Sequence, residues 1–435
     1  MLGLAFVFGL FAWLIIEGLR RPWVGIIGFY GWIILEPEWN WRWSVPQDFR
    51  FQQYLAASVL LGWLLNGCRI QRLSPVARNA CIALVLFLCL AFISNQQSIA
   101  PELSNFYMGN MWKIVLMAIL AVFLLDTPAK IWTALTVIAI AQGYSAFRIN
   151  EQYFQDGFSL FAYRPWGTKG DNNLYSNLTV PLAACSLAIT FNAKDKRLKY
   201  VMLFIAIVQI HQIMLLQSRG AMIAGILTAT ISAWMMPRTK WNLRMVGLLA
   251  FFSFALAGPS VVKEFSSAFA KEGDRDSSAE SRLILWRAGW EITQDYPLLG
   301  VGPYAGQKLV PQYAEGISSQ NKGLHNLFFE ISTGCGVPAT ICYMYFLLAS
   351  LIFFYRKPNR GAVVDYRISA VRHALIPGLI GYLVASMFSS GALSESSYAL
   401  SAIGLAASSV VSRPNRVANY VETKETLNPV LEGQI

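Results

Sequence analysis

Long, uninterrupted apolar runs recur along this chain, and they limit what it can fold into more than any other feature. Leu2 to Ile16, Ala80 to Ile93, Val201 to Leu216 and Met245 to Ala257 read as nearly unbroken hydrocarbon. They show neither amphipathic spacing nor strand alternation. A transmembrane helix needs about 20 mostly apolar residues; with their flanks these runs reach that length, and 435 residues leave room for many. Charged residues make up only 14% of the chain, against roughly a quarter in soluble domains. The chain therefore reads as an all-α, polytopic membrane protein.

The runs predict spans over 2–19, 22–36, 53–67, 79–94, 111–125, 129–147, 174–191, 200–217, 220–236, 243–259, 325–355, 373–390 and 396–412, about 12 in all if some short ones merge. The first is read as a retained helix and not a signal peptide. It has no basic n-region, Arg20-Arg21 follow it, and Pro22-Trp23 open another apolar run with no small-residue cleavage site between. The six cysteines lie in or beside apolar segments without a CxxC pair, as small buried hydrophobes do. Three regions follow: transmembrane segments in 1–172, a second transmembrane region in 173–412 that contains a long loop at 260–324, and a tail at 413–435.

The net charge of +11 would suggest nucleic acid in a soluble protein, but here it sorts by loop. Alternate connections hold 21 of the 35 basic residues, from Arg20-Arg21 through Lys194–Lys199 to Arg413, Arg416 and Lys424. Cytoplasmic loops carry such an excess. The opposite, outer face holds the longer connections 37–52, 95–110, 148–173 and 260–324. The first is rich in tryptophan, as interfacial segments are, and the last is long enough for a small extramembrane subdomain.

Fourteen basic residues remain on that outer side, several where solvation alone would not put them. Arg219 sits in Gln217-Ser218-Arg219-Gly220, between two spans with almost no loop. Arg282 and Arg287 belong to a stretch from Ser281 to Trp290 that reads as helical, with Ser277 or Ser278 as a cap; Arg282 and Trp286 share a face. Arg148, Arg164 and Lys169 lie in the 148–173 loop. Each could snorkel to head groups or pair with a carboxylate. Together they suit an anion presented from the bilayer, because guanidinium forks bind phosphate bidentately.

Of three histidines, His211 reads as a packed polar residue within a span and His373 lies at the cytoplasmic edge. His325 opens the span after the long loop, where it can titrate near neutrality and reach an interfacial substrate, or simply cap the helix. Asn326 could likewise orient a ligand or cap. Glu330, five residues after His325, falls on a different face. Asp274-Arg275-Asp276 has the form of a metal-binding DxD but sits in a charged, serine-rich stretch that reads as a solvated loop. Gly300-Val301-Gly302-Pro303 is a lone glycine turn.

In order, these motifs resemble the O-antigen ligase and polymerase superfamily of bacterial envelope glycosyltransferases. They are a Ser-Arg-Gly at a helix junction, an outer loop with Arg…Trp…Arg, then Pro-Leu-Leu-Gly-Val-Gly-Pro, and His-Asn-x-Phe-x-Glu opening the next span. The match runs from about Asn173 to Ala406. The N-terminal part, with Arg-Arg-Pro-Trp at 20–23, is similar to a subgroup of O-glycosylation ligases. The resemblance implies the membrane glycosyltransferase C type of fold with a large periplasmic loop, in the bacterial inner membrane. It implies a glycan donor on undecaprenyl diphosphate, a lipid A–core acceptor, membrane lipids as surroundings, no nucleic acid, and neither a metal nor a nucleotide-sugar cofactor. Transfer would invert the anomeric carbon. By position, His325 would be the general base, and Arg219 and Arg282 would hold the diphosphate. Arg287, Arg164, Lys169, Asn326 and Trp286 would be further substrate-binding residues. The same residues would serve a glycan polymerase or a protein O-oligosaccharyltransferase. A flippase or exporter of lipid-linked oligosaccharide, or a membrane scaffold, are readings of a different class.

Overall fold

The computed structural model describes residues 2–46, 48–164, 166–167, 171–267, 277–314, 316, 322–355 and 365–413. Lys169, Asp274-Arg275-Asp276, and 414–435 of the expected tail lie outside the described residues, as do the side chains of Ser277 and Ser278. All regular structure among the described residues is helical. In order the helices are α1 (Leu2–Arg20), α2 (Pro22–Leu35), α3 (Pro37–Asn40), α4 (Phe51–Leu65), α5 (Pro75–Gln96), α6 (Pro101–Leu124), α7 (Pro128–Asp156), α8 (Asn172–Asn192) and α9 (Lys196–Leu215). Then come α10 (Arg219–Met235), α11 (Lys240–Leu256), α12 (Pro259–Ser267), α13 (Ser277–Asp295), α14 (Val310–Tyr313), α15 (Leu327–Tyr355), α16 (Tyr366–Ser386) and α17 (Glu395–Val411). Each expected span overlaps one of them, and α13 is the helix expected inside the long loop.

Local chemistry sets the boundaries. α2, α3, α5, α6 and α7 each begin on a proline, whose missing N–H costs nothing in a first turn. Ser74, Thr127, Asp171, Asp195, Thr239 and Asp365 cap the next turn through side-chain oxygens. Among the described residues seven helices, α1, α5, α6, α8, α9, α15 and α16, are long and apolar enough to cross a membrane. α10, α11 and α17 have 17 residues each, about 25 Å at 1.5 Å per residue, and α2 and α4 are shorter. These five fall below the roughly 30 Å of a hydrocarbon core.

α8 is the axis of the bundle, buried from Tyr175 to Phe191 and packed against α7, α9, α10 and α16. A helix apolar on every side belongs in such a position. Its polar groups are answered from its neighbours. Gln142 of α7 donates to Thr179 of α8 at 3.0 Å and to Gln212 of α9 at 2.7 Å. His211 is buried as a packed polar residue, with Nδ1 2.5 Å from Asn150 Oδ1. On the periphery, large apolar side chains such as Phe92, Phe204, Phe254 and Ile341 are exposed, the surface a bilayer would cover.

The glycine turn at 300–303 is more than a turn. α15 breaks at Gly336 (φ 84°), and Pro338 has no N–H to offer Gly334 four residues back. The long loop answers the freed groups. Val301 N–H donates to Thr333 O at 2.9 Å, Gly302 N–H to Gly334 O at 2.9 Å, and Val337 N–H to Pro297 O at 2.8 Å. Ser94 Oγ of α5 adds a 2.7 Å bond to Gly334 O. The far side of the turn is fixed as firmly, with Ile99 N–H on Val301 O at 3.1 Å and Tyr304 stacked on Tyr107 of α6 at 3.5 Å. Within the long loop expected at 260–324, residues 297–305 are thus joined to α5, α6 and α15. Unpaired backbone is not tolerated at membrane depth, so these bonds are what permits the break.

Gly300 (φ 63°) meets the backbone of Thr333 and Gly334, leaving no room for a Cβ. Gly300→Ala is expected to destabilise by at least about 1–2 kcal/mol from the left-handed conformation alone. In Gly247→Ala of α11 the added Cβ meets no atom within 4 Å, and alanine's helix propensity favours it by about 1 kcal/mol. Thermal unfolding in detergent, followed by tryptophan fluorescence, should show the first midpoint fall and the second hold or rise. Equal midpoints would contradict the stitched break.

Candidate functional site

Three helix N-termini meet at one end of the bundle, those of α8, α10 and α15, and the segment 387–394 joins them. α9 and α10 are separated by three residues, and Gln217 takes a left-handed conformation (φ 54°) to make the turn. The first turn of α8 holds that junction. Asn172 Nδ2 donates to Leu216 O at 2.8 Å, and Ser218 Oγ donates to Asn173 Oδ1 at 2.8 Å. Arg219 is therefore the first residue of α10, beside the start of α8. Phe388 packs against Gly220, where an added Cβ would lie 2.7 Å from the phenylalanine Cβ. The same ring lies 5.7 Å from that of Trp286 on α13.

His325 enters from α15. It has φ 48°, a region histidine visits more readily than most residues but still seldom. Both neighbours pin it there. Leu324 is buried with Leu285 and Ala288 of α13, and Asn326 caps α15, accepting from Phe328 N–H at 2.9 Å and Phe329 N–H at 3.3 Å. Local strain of this kind collects at functional positions. Burial holds the imidazole below its ordinary pKa; the Asp171 carboxylate opposes this, and Arg282 and Lys322 reinforce it. The balance favours the neutral ring, the form that can accept a proton.

Asp171 is a residue the sequence did not single out. It caps α8, accepting from Leu174 N–H at 2.6 Å, while its charge acts on His325. Its cap position before an apolar run is readable, but its nearness to a histidine 154 places later is not. Glu330 also gains a place. It is buried, and Oε2 accepts from Gly391 N–H at 2.9 Å and Ala392 N–H at 3.3 Å, tethering the segment that carries Phe388.

The other expected residues divide. Arg282 lies near enough to His325 for its charge to oppose protonation of the imidazole. Trp286 stands against Phe388, and its indole N–H is buried without a partner among the described residues. Arg287 points outward, 84% exposed and 3.2 Å from Glu291. Arg164 is exposed on the loop before α8, and Arg148 pairs with Glu151 on α7. Asn326 is 1% exposed, and its side chain is occupied by its cap and by Met387.

The gathered groups can hold an anion. The α10 N-terminus, which has no side-chain cap, presents partial positive charge and free N–H groups, and Arg219 and Arg282 add full charges, while the first turns of α8 and α15 are occupied by their Asp171 and Asn326 caps. No group of three or more histidine, cysteine or acidic side chains able to hold a metal converges among the described residues.

Residues 202–344 match the O-antigen ligase family, a stretch that includes Arg219, Arg282, Trp286 and His325. Residues 1–150 match a family of unknown function. No curated protein matches the chain.

With only three histidines, His325 can be followed by NMR of the isotopically labelled imidazole. Its titration is expected below the usual value of about 6.5. Asp171→Asn should lower it further by removing a favourable charge, and Lys322→Gln should raise it. A midpoint at or above the usual value in the native protein would contradict this electrostatic description.

Proposed function

We propose, from the match of residues 202–344 to the O-antigen ligase family, that this chain is a member of that superfamily and transfers an O-antigen glycan from undecaprenyl diphosphate to a sugar hydroxyl of lipid A–core. The reading carries with it a bundle of about twelve membrane spans of the glycosyltransferase C type in the inner membrane. His325 then faces the periplasm.

The observation that carries the reading is the position of His325, in a left-handed conformation at the start of α15 and near enough to Asp171 and Arg282 to feel their charges, at the end of the bundle where α8 and α10 also begin. His325 takes the proton from the acceptor hydroxyl as its oxygen attacks the anomeric carbon. The bond from that carbon to the diphosphate breaks on the opposite side, and the anomeric configuration inverts. Asp171 stabilises the imidazolium that forms. Arg219, Arg282 and the α10 N-terminus neutralise the charge that gathers on the leaving diphosphate. Trp286 offers its unused indole N–H to the bound donor.

A second feature supports a lipid-borne donor. Met222, Ile226, Ala229 and Ala233 of α10 line an apolar cleft of about 450 Å³ closed by α9, α11 and α12. They lie three to fourteen residues beyond Arg219 on its own face of the helix. A prenyl chain in this cleft brings its diphosphate to Arg219.

The test is transfer of labelled glycan by the purified protein in proteoliposomes with EDTA present. Lipid A–core, free repeat units and a pilin-like protein are offered as acceptors. Transfer to lipid A–core is expected. His325→Ala should keep donor binding and lose about 10²–10⁴ in rate, whereas Arg219→Ala should weaken binding and lose about 10²–10³ in turnover. Transfer only to repeat units or to protein would replace ligase by polymerase or oligosaccharyltransferase. Movement of the donor across the bilayer without transfer would make the protein a flippase.

A further inference from the structure

The end of the bundle opposite His325 holds a second site-like feature. α17 runs from beside the Glu330 tether to that end, about 25 Å by its 17 residues. There a cleft of about 600 Å³ gathers Arg20, Arg21, Arg69, Arg72, Lys130 and Arg413, with Asp126 the only acidic lining residue among the described residues. Four separate parts of the chain supply these cations: the α1–α2 junction, the α4–α5 loop, the α6–α7 junction and the end of α17.

Topogenic charge requires basic residues near span ends, but not their convergence. Here the convergence is built. Gly67 and Cys68 both take left-handed conformations (φ 80° and 52°) to turn the chain before Arg69. Trp63 Nε1 donates to Arg69 O at 3.0 Å and fastens that turn. Gln71 Nε2 bonds the end of α6, donating to Leu125 O at 3.3 Å and also to Val122 O. Its Oε1 accepts from Arg413 Nη2 at 2.7 Å, while Arg413 Nη1 reaches Asp126 O at 3.0 Å. Lys130 is paired with Asp126 at 2.7 Å and Arg21 with Glu17 at 2.5 Å. Among the described residues no acidic side chain pairs with Arg20, Arg69 or Arg72. Trp23 and Trp63 line the same cleft, the residue type that settles at head-group level.

We propose that this cleft binds the head group of an anionic phospholipid from the leaflet opposite the candidate active site. The phosphodiester lies against Arg20, Arg69 and Arg72, and the acyl chains leave past Trp23, Trp63 and Phe123. A basic pocket between helices at a membrane surface is suited to this class of ligand. The reading is independent of the transfer reaction and gives a role to part of the N-terminal region.

Native mass spectrometry of the delipidated full chain tests it, with phosphatidylglycerol, phosphatidylcholine and inorganic phosphate as probes. Phosphatidylglycerol should be retained over phosphatidylcholine. The double variant Arg69→Gln/Arg72→Gln should lower its affinity about 10- to 30-fold, on the usual strength of basic residues at an anionic surface. Lys196→Gln/Lys199→Gln removes the same charge from the same end outside the cleft and should change it little. Equal loss in both variants, or no loss in the first, would overturn the proposal. Full displacement of the lipid by millimolar phosphate would overturn its assignment to a lipid. For the native protein, a head-group photoreactive phosphatidylglycerol should label the segment 63–72, and labelling confined to other segments would also overturn it.

Discussion

The break in α15 is the constraint on which the rest of this structure depends. A helix that crosses a bilayer satisfies its own backbone, and one that breaks must find partners elsewhere. Gly336 and Pro338 release the carbonyls of Thr333 and Gly334 and the N–H of Val337. Each such group left buried and unpaired would cost about 1–3 kcal/mol or more. Residues 297–302 supply all three partners. The loop cannot leave without exposing them, and its position is therefore as fixed as that of a helix.

That fixed loop sets the geometry of the candidate site. It follows α13 directly, so anchoring Pro297, Val301 and Gly302 anchors the helix that carries Arg282 and Trp286. Gly289 of α13 lies against Phe329, and Thr293 Oγ1 is 2.8 Å from Ser332 Oγ, which lays α13 along the first turns of α15. His325 lies just before those turns. A second tether runs through Glu330 to Gly391 and Ala392 and places Phe388 between Gly220 and Trp286. The helices that carry Arg219, Arg282 and His325 are thus held by buried contacts. Electrostatic groups preorganised in this way need not rearrange as charge develops, and that preorganisation is where most of their catalytic effect would arise.

Much of the fold was legible in the sequence because its signal is local. Apolar runs, prolines at helix starts and Ser, Thr or Asp caps place every expected span on a helix. Arg219, Arg282 and His325 stood out because a charge or an imidazole at a helix end is unusual whatever surrounds it. What was hidden depends on contacts between distant segments. Asp171 and Phe388 look ordinary until the fold puts one near His325 and the other against Gly220. The Gly300–Pro303 turn showed its backbone freedom but not the broken helix that uses it. Arg282 and Arg287 are five residues apart on one helix, and only packing decides that the charge of the first reaches His325 while the second pairs with Glu291 in solvent. Asn326 left capping and ligand binding both open, and the structure shows it capping.

The central claim is that one base and two cations perform a single displacement at the anomeric carbon. The most direct measurement is the anomeric configuration of the linkage in the product, read from one-bond carbon–proton couplings and compared with that of the diphosphate-linked donor. The account predicts inversion, an α-linked donor giving a β-linked product. Retention would require a covalent or doubly displaced intermediate, which His325 acting as a base does not provide, and would contradict it.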